Sequence, residues 1–149
     1  MRCAGETRLA VWPEIDLDAG VWSNPADRMK MRKPYLVPLA EPAVALLRRR
    51  WRYRVHDKGL VFSTHGFRPL SDMTMTKVMR DLGYCKDTVH GFRSSFTDWA
   101  AEQTDFPKEV VDKALTHKLV DRVEAAYRRI DFFARRRELM YKWANFLCP

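Results

Sequence analysis

The chain has 149 residues, 46% of them hydrophobic and 31% charged, with a net charge of +8. That length fits one domain with a real core, and the apolar content excludes an intrinsically disordered chain. The positive balance favours a polyanionic partner such as nucleic acid.

Cys3, Cys85 and Cys148 are widely scattered, with no CxxC spacing. This points to a reducing compartment and away from a disulfide framework. His56, His65, His90 and His117 do not combine with them at zinc-finger spacing, so no metal site is expected. No apolar run has signal-peptide or membrane-spanning length. The expectation is a soluble, cytoplasmic, basic domain without a membrane partner.

In chain order, residues 5–11 read as the end of a helix stopped by Trp12-Pro13. Val21-Trp22 and Tyr35-Leu36-Val37 are β-rich runs flanking a polar, Met-rich connection, which predicts a hairpin with a long loop, ended by Pro38. Ala43 to Val55 reads as a helix with Val44, Leu47, Trp51 and Val55 on its inner face. Leu60 to Ser63 reads as a short buried strand.

From Ser71 onward the pattern is helical. Ser71 caps a predicted helix that runs to Leu82 and is ended by Gly83. Phe92, Phe96, Trp99 and Ala100 mark the inner stripe of the next helix. Asp105 and Pro107 open another that runs through Leu115. Two more are predicted over 120–129 and 132–147, the last with Leu139, Met140, Trp143 and Leu147 on one stripe. Trp99, Trp143 and the phenylalanines are expected in the core. The fold class is α+β, mainly helical, with a small antiparallel sheet near the N-terminal end.

The chemistry-bearing cluster is Val89-His90-Gly91-Phe92-Arg93, followed by His117 and Tyr127. A His and an Arg three residues apart share one face of a helix. Attack on a DNA phosphodiester without metal poses three problems. Negative charge spreads over the pentacoordinate phosphorus, the nucleophile must be aimed in line, and the leaving 5′-oxygen needs a proton. Arg answers the first because its planar fork grips two phosphoryl oxygens. Tyr answers the second by forming a phosphotyrosyl ester that retains the bond energy for rejoining. Lys or His answers the third as a general acid.

The residues resemble the tyrosine recombinases, also called phage integrases, of the type found in prophages and genomic islands. The blocks are His90-Gly91-Phe92-Arg93, Leu115-Thr116-His117 and Ala125-Ala126-Tyr127-Arg128. Gly5-Glu6, the segment from Trp12 to Asp16, Arg28-Met29-Lys30-Met31 and Val37-Pro38-Leu39 fit in order as well. The resemblance implies that Arg93 grips the scissile phosphate and that His90 is a hydrogen-bonding or acid/base group. It implies that His117 donates to a non-bridging oxygen and that Tyr127 is the nucleophile. Lys30 matches the hairpin lysine that protonates the leaving oxygen. Glu6 matches the acidic residue three positions after the first catalytic arginine. That arginine is therefore expected at position 3, which is Cys3, and Arg2 is its neighbouring candidate. The resemblance also implies a single catalytic domain over 1–149, shortened at its N-terminal end and without a separate arm- or core-binding domain. No cofactor is implied.

A second string, His65-Gly66-Phe67-Arg68, repeats the motif but runs into Pro69. Proline disfavours helical backbone at Arg68, so this copy reads as a surface turn. By itself Tyr127, on a stripe with Val123, Ala126 and Ile130, would be a core tyrosine, and only the ordered blocks mark it as a nucleophile. Arg48, Arg49, Arg50, Arg52, Arg54 and Lys58 crowd one helix and its end with no acid at i+4. A solvated face and a DNA contact through Arg48, Arg49 and Arg52 both fit; counterion release would relieve the repulsion. Arg128 and Arg129, beside the expected nucleophile, are further DNA candidates, and Arg135-Arg136-Arg137 reads as solvating.

The leading expectation is site-specific recombination of double-stranded DNA through a 3′-phosphotyrosyl intermediate, with a homo-oligomer on DNA formed through the C-terminal helix. The alternative is a catalytically impaired remnant that acts only as a DNA-binding or regulatory protein. A type IB topoisomerase shares the chemistry and ranks third.

Overall fold

The computed structural model describes residues 4–26, 34–115 and 132–148. The chain opens with a helix, α1 (Ala4–Arg8), followed by a 3-10 turn at Trp12–Glu14 with Pro13 in its first turn. Three short strands follow: β1 (Ile15–Asp16), β2 (Val21–Asn24) and β3 (Tyr35–Pro38). They form one antiparallel sheet in the order β1-β2-β3. Trp22 pairs with Ile15 on one side and Val37 on the other. Period-two alternation therefore sends Trp22 and Asn24 to the buried face. The expected hairpin is present. The strand at Ile15–Asp16 was not expected, since two residues carry no readable alternation. The turn after it is held by Asp16 Oδ1, which accepts from the amides of Asp18 (3.0 Å) and Ala19 (2.8 Å).

Helix α2 (Glu41–Trp51) carries Pro42 in its first turn and buries Val44 and Leu47. Trp51 meets Trp12 edge-on at 4.8 Å. The helix stops four residues before the expected Val55, which is exposed. The reason is Arg50. Its guanidinium donates to the carbonyls of Tyr53 (3.0 Å), Val61 (3.1 Å) and Ser63, folding the chain back on itself. The same contacts replace a strand at 60–63. Among the described residues that segment makes the single bridge Val11↔Leu60, and arginine N–H groups stand where a neighbouring strand would donate. Val61 is nevertheless fully buried.

Residues 64–68 form a turn around Gly66, whose φ of +81° favours glycine. Leu60 N donates to Gly66 O at 2.5 Å, and Phe67 stacks on His56 at 4.6 Å. A Cβ at Gly59 would lie 2.6 Å from Gly66 O, so the two loops approach as closely as backbone allows.

Helix α3 (Thr74–Asp81) starts three residues after Ser71, whose hydroxyl accepts from Met73 N at 3.3 Å in the preceding turn. Gly83 ends it in left-handed conformation, with Tyr84 N bonded to Met79 O at 2.9 Å. Helix α4 (Gly91–Gln103) is followed by α5 (Lys108–Ala114) and α6 (Phe133–Leu147). The helix expected over 120–129 lies outside the described residues.

Two cores result. Phe96, Trp99, Ala100, Val110, Leu115, Leu139 and Trp143 belong to the helical one, where the Phe96 and Trp143 rings meet edge-on at 5.4 Å. Ala10, Trp12, Trp22, Val37, Leu47 and Val61 form the other, beneath the sheet. Helix α6 packs on α5, β3 and α2, and so touches both. Not every phenylalanine is interior. Phe92 is 50% exposed because the core that α4 enters begins one turn later, at Phe96; Phe67 and Phe146 are exposed too. Leu147 is also exposed, at the end of α6 beyond Trp143.

Among the described residues, no helix is long and apolar enough to cross a membrane. The observed class is the mainly helical α+β fold with its small sheet near the N-terminal end. Two phenylalanines one helical turn apart test the core boundary. Phe96→Ala should lower unfolding free energy by about 3–5 kcal/mol. Phe92→Ala should stay within about 0.5 kcal/mol. Urea denaturation checks both, and equal losses would contradict the placement.

Candidate active site

The motif at 90–93 sits at the start of α4. His90 is the residue before the first helical position and is exposed. The helix is started by Thr88, whose Oγ1 accepts from Gly91 N at 3.0 Å. Arg93 N bonds to His90 O at 3.0 Å, so the two residues are fixed in the first turn. The Arg93 side chain is half-buried, and its Nη2 donates to Leu115 O at 2.6 Å. A guanidinium has five N–H donors. One sets the plane of the group, and the others have no hydrogen-bond partner among the described residues.

Leu115 is fully buried and ends α5, two residues before His117. The end of α5 is therefore gripped by Arg93. A second grip comes from the sheet: the Tyr35 hydroxyl donates to Lys113 O. Tyr35 in turn accepts from Arg136 Nη1 at 2.8 Å, and the same nitrogen donates to Leu36 O at 2.8 Å. The Arg136 guanidinium lies 4.7 Å from the centre of the Tyr35 ring.

This corrects the reading of Arg135-Arg136-Arg137 as a solvating run. Arg136 is 1% exposed and shares the inner stripe of α6 with Leu139 and Trp143. Arg137 donates to Ala19 O at 3.1 Å, while Arg135 is exposed. The signal was available in the spacing, since positions 136, 139 and 143 fall on one helical face. Charge masked it.

The basic run on α2 also divides. Arg48 donates to Leu17 O (3.2 Å) and pairs with Asp18 (3.1 Å). Arg50 holds the loop described above. Arg54 lies 3.7 Å over the Trp51 ring and pairs with Asp57. Compensation thus comes from Asp18, far away in sequence, and from Asp57 at i+3. Arg49 and Arg52 remain exposed.

Arg2, Lys30, His117, Tyr127, Arg128 and Arg129 lie outside the described residues, as does Cys3. In sequence, Lys30 falls between Asn24 and Tyr35, which are paired across β2 and β3. His117 and Tyr127 fall between the end of α5 and the start of α6. Glu6 is half-buried on α1. Among the described residues, no three His, Cys, Asp or Glu side chains gather as a metal-binding group. A cavity of about 260 Å³ between α1 and the start of α3 is lined by Thr7, Arg8, Phe62, Leu70 and Met75, among others. Of the described residues expected to do chemistry, neither His90 nor Arg93 lines it.

Residues 1–133 match the phage integrase family. The chain is 30% identical over 163 residues to the putative protein IntB of Escherichia coli K12, covering 97% of this chain and 41% of that protein. It is 32% identical over 143 residues to the prophage integrase IntA of the same strain, covering 94% and 34%. It is 29% identical over 162 residues to the integrase of Enterobacteria phage P4, covering 97% and 37%. The chain thus spans between 34% and 41% of the length of these relatives. No solved structure matches it. With a family match over residues 1–133 and the 90–93 motif opening a helix whose arginine is tied to the chain just before His117, the chain belongs to the phage integrase family.

Proposed function

We propose that the chain breaks and rejoins double-stranded DNA at a specific site through a 3′-phosphotyrosyl intermediate. The observation that carries this reading is the tether from Arg93 to Leu115 O at 2.6 Å. It aims a guanidinium, whose other donors have no partner among the described residues, from the helix start that also bears His90. Membership of the phage integrase family supports the reaction class.

In this reaction the Tyr127 oxygen attacks phosphorus, the Oη–P bond forms, and the P–O5′ bond breaks. The phenolic proton passes to a base, the role given to His90, and Lys30 gives a proton to the leaving 5′-oxygen. Arg93 and His117 donate to the non-bridging oxygens, where charge builds in the transition state. Arg2 is the candidate for a second guanidinium there. Rejoining is the reverse, with a 5′-hydroxyl attacking the phosphotyrosine. DNA is held by Arg49 and Arg52 on α2, which are exposed, together with Arg128 and Arg129. Arg48 contributes once released from Asp18. A tetramer on DNA, joined through the C-terminal helix, is the proposed assembly.

One sequence feature favours a second reading, a DNA-binding or regulatory protein with impaired chemistry. The position three before Glu6 is Cys3 rather than arginine.

Nicked duplexes randomised on both sides of the nick trap any covalent adduct, because the cleaved fragment diffuses away. Wild type should yield adducts with a common sequence, and Tyr127→Phe should yield none. Equal trapping by both proteins would remove Tyr127 as the nucleophile. On the recovered sequence, Arg93→Ala should slow cleavage by about 100-fold or more. Salt-sensitive binding without adduct, with cleavage appearing in Cys3→Arg, would decide for the second reading. Replacing both Arg49 and Arg52 by Ala should reduce the slope of log affinity against log salt by about 2. An unchanged slope would place the DNA elsewhere.

A further inference from the structure

We propose that Tyr35 and Arg136 form a positioning pair that sets the end of α5, and with it Arg93, against the sheet. The proposal rests on the recombinase reading for its effect on rate and on the hydrogen bonds alone for its effect on structure.

Lys113 O is one of the last four carbonyls of α5, which have no amide four residues on within the helix, and the cap amide of Leu115 shares itself between it and Val111 O. The Tyr35 hydroxyl adds a donor from the sheet. Arg93 holds Leu115 O, two residues further on, at 2.6 Å. The last turn of α5 is thus fixed from two directions, by the sheet and by the arginine assigned to the phosphate. Whatever moves that turn moves the Arg93 guanidinium with it.

The Tyr35 hydroxyl is itself fixed. Arg136 Nη1 donates to it at 2.8 Å, which commits its own proton to Lys113 O. The same nitrogen reaches Leu36 O at 2.8 Å, locking the group to the backbone of β3. Arg136 is 1% exposed and shares its stripe with Leu139 and Trp143. An apolar side chain there would fill the space without burying a charge. What an apolar side chain could not do is fix the register between β3 and α5. Tyr35 also lies five residues after Lys30, so the pair joins the strand that follows the proposed general acid to the helix that precedes His117.

Tyr35→Phe keeps the ring under the guanidinium and removes only the hydroxyl. Three measurements on this variant test the pair. The first is single-turnover cleavage of the nicked duplex recovered with wild type, at saturating protein. Its rate should fall about tenfold while the dissociation constant for that duplex stays the same, since misplacement acts on the transition state rather than on binding. The second is the same duplex with sulfur replacing the 5′-bridging oxygen, a leaving group that needs no general acid. It should rescue Lys30→Ala and leave the Tyr35→Phe defect in place. The third is hydrogen exchange, which should speed up across residues 111–115 and not across 96–103.

A rate within twofold of wild type, or full rescue by the bridging sulfur, would overturn the assignment to α5. So would losses of affinity and of protection at 96–103 that match the loss of rate, because they would show a general role in folding. Arg136→Lys keeps the charge but not the fork, and should shift rate and exchange in the same direction. If wild type forms no adduct, the recombinase reading fails separately, and unchanged exchange at 111–115 would then overturn the pair itself.

Discussion

A guanidinium taken out of water dictates much of how this chain fits together. Burying a charge costs several kcal/mol, on the order of magnitude found for ions in protein interiors, unless hydrogen bonds replace the lost solvent. Arg136 meets that requirement with Tyr35 Oη and Leu36 O on β3, and with the faces of the Tyr35 and Phe133 rings. Tyr35 can accept from the arginine because its own proton has a destination, Lys113 O on α5. Each bond in such a chain polarises the next. Three elements, α6, β3 and α5, are therefore placed together, and none can slide without orphaning a buried group. The two apolar cores bring these elements close, but apolar contact is non-directional. The polar relay is what sets the register.

The net charge of +8 does not translate directly into a DNA-binding face. Arg8, Arg50, Arg136 and Arg137 each donate to a backbone carbonyl of another element or loop. Arg48 and Arg54 have acidic partners. In a small domain with a three-stranded sheet, arginine takes over work that longer ladders would do, as Arg50 does for the carbonyls of 61 and 63. The long-range field still reflects the sum of charges and draws a polyanion in. Under the proposed function, close contact would fall to cations without such partners among the described residues, Arg49 and Arg52 among them.

The legible parts of the fold were those governed by local rules. The hairpin strands, the glycine that ends α3, and the stripe Phe96, Trp99, Ala100 all follow from period, turn chemistry and apolar spacing. What failed was decided by distant partners. Val55 was expected inside, but Arg50 turned the chain before reaching it. Leu60 to Ser63 had the composition of a strand and found guanidinium donors where a strand was needed. Arg136 is in phase with the core, but its charge hides that in the sequence. The candidate site behaved in the same way. The 90–93 motif and its helix were readable, whereas the tether to Leu115 and the role of Tyr35 depend on contacts across 22 and 78 residues of sequence. No periodicity reports those.

The two functional readings separate on how much of the phosphate's charge the site can meet. A tethered guanidinium needs little reorganisation when charge develops, and the carbonyl of Leu115 fixes its plane without neutralising it. Arg93 with His90 and His117 would therefore retain part of the stabilisation even if position 3 supplies no arginine. Groups that act on one transition state are not additive, so losing one can cost nearly as much as losing several. Binding obeys a different arithmetic, because each phosphate contact adds its own share of counterion release. A weakened first arginine should thus leave DNA affinity nearly whole while the chemical step slows. Affinity alone cannot distinguish an enzyme from a remnant here. The discriminating quantity is the rate of adduct formation once the DNA is already bound.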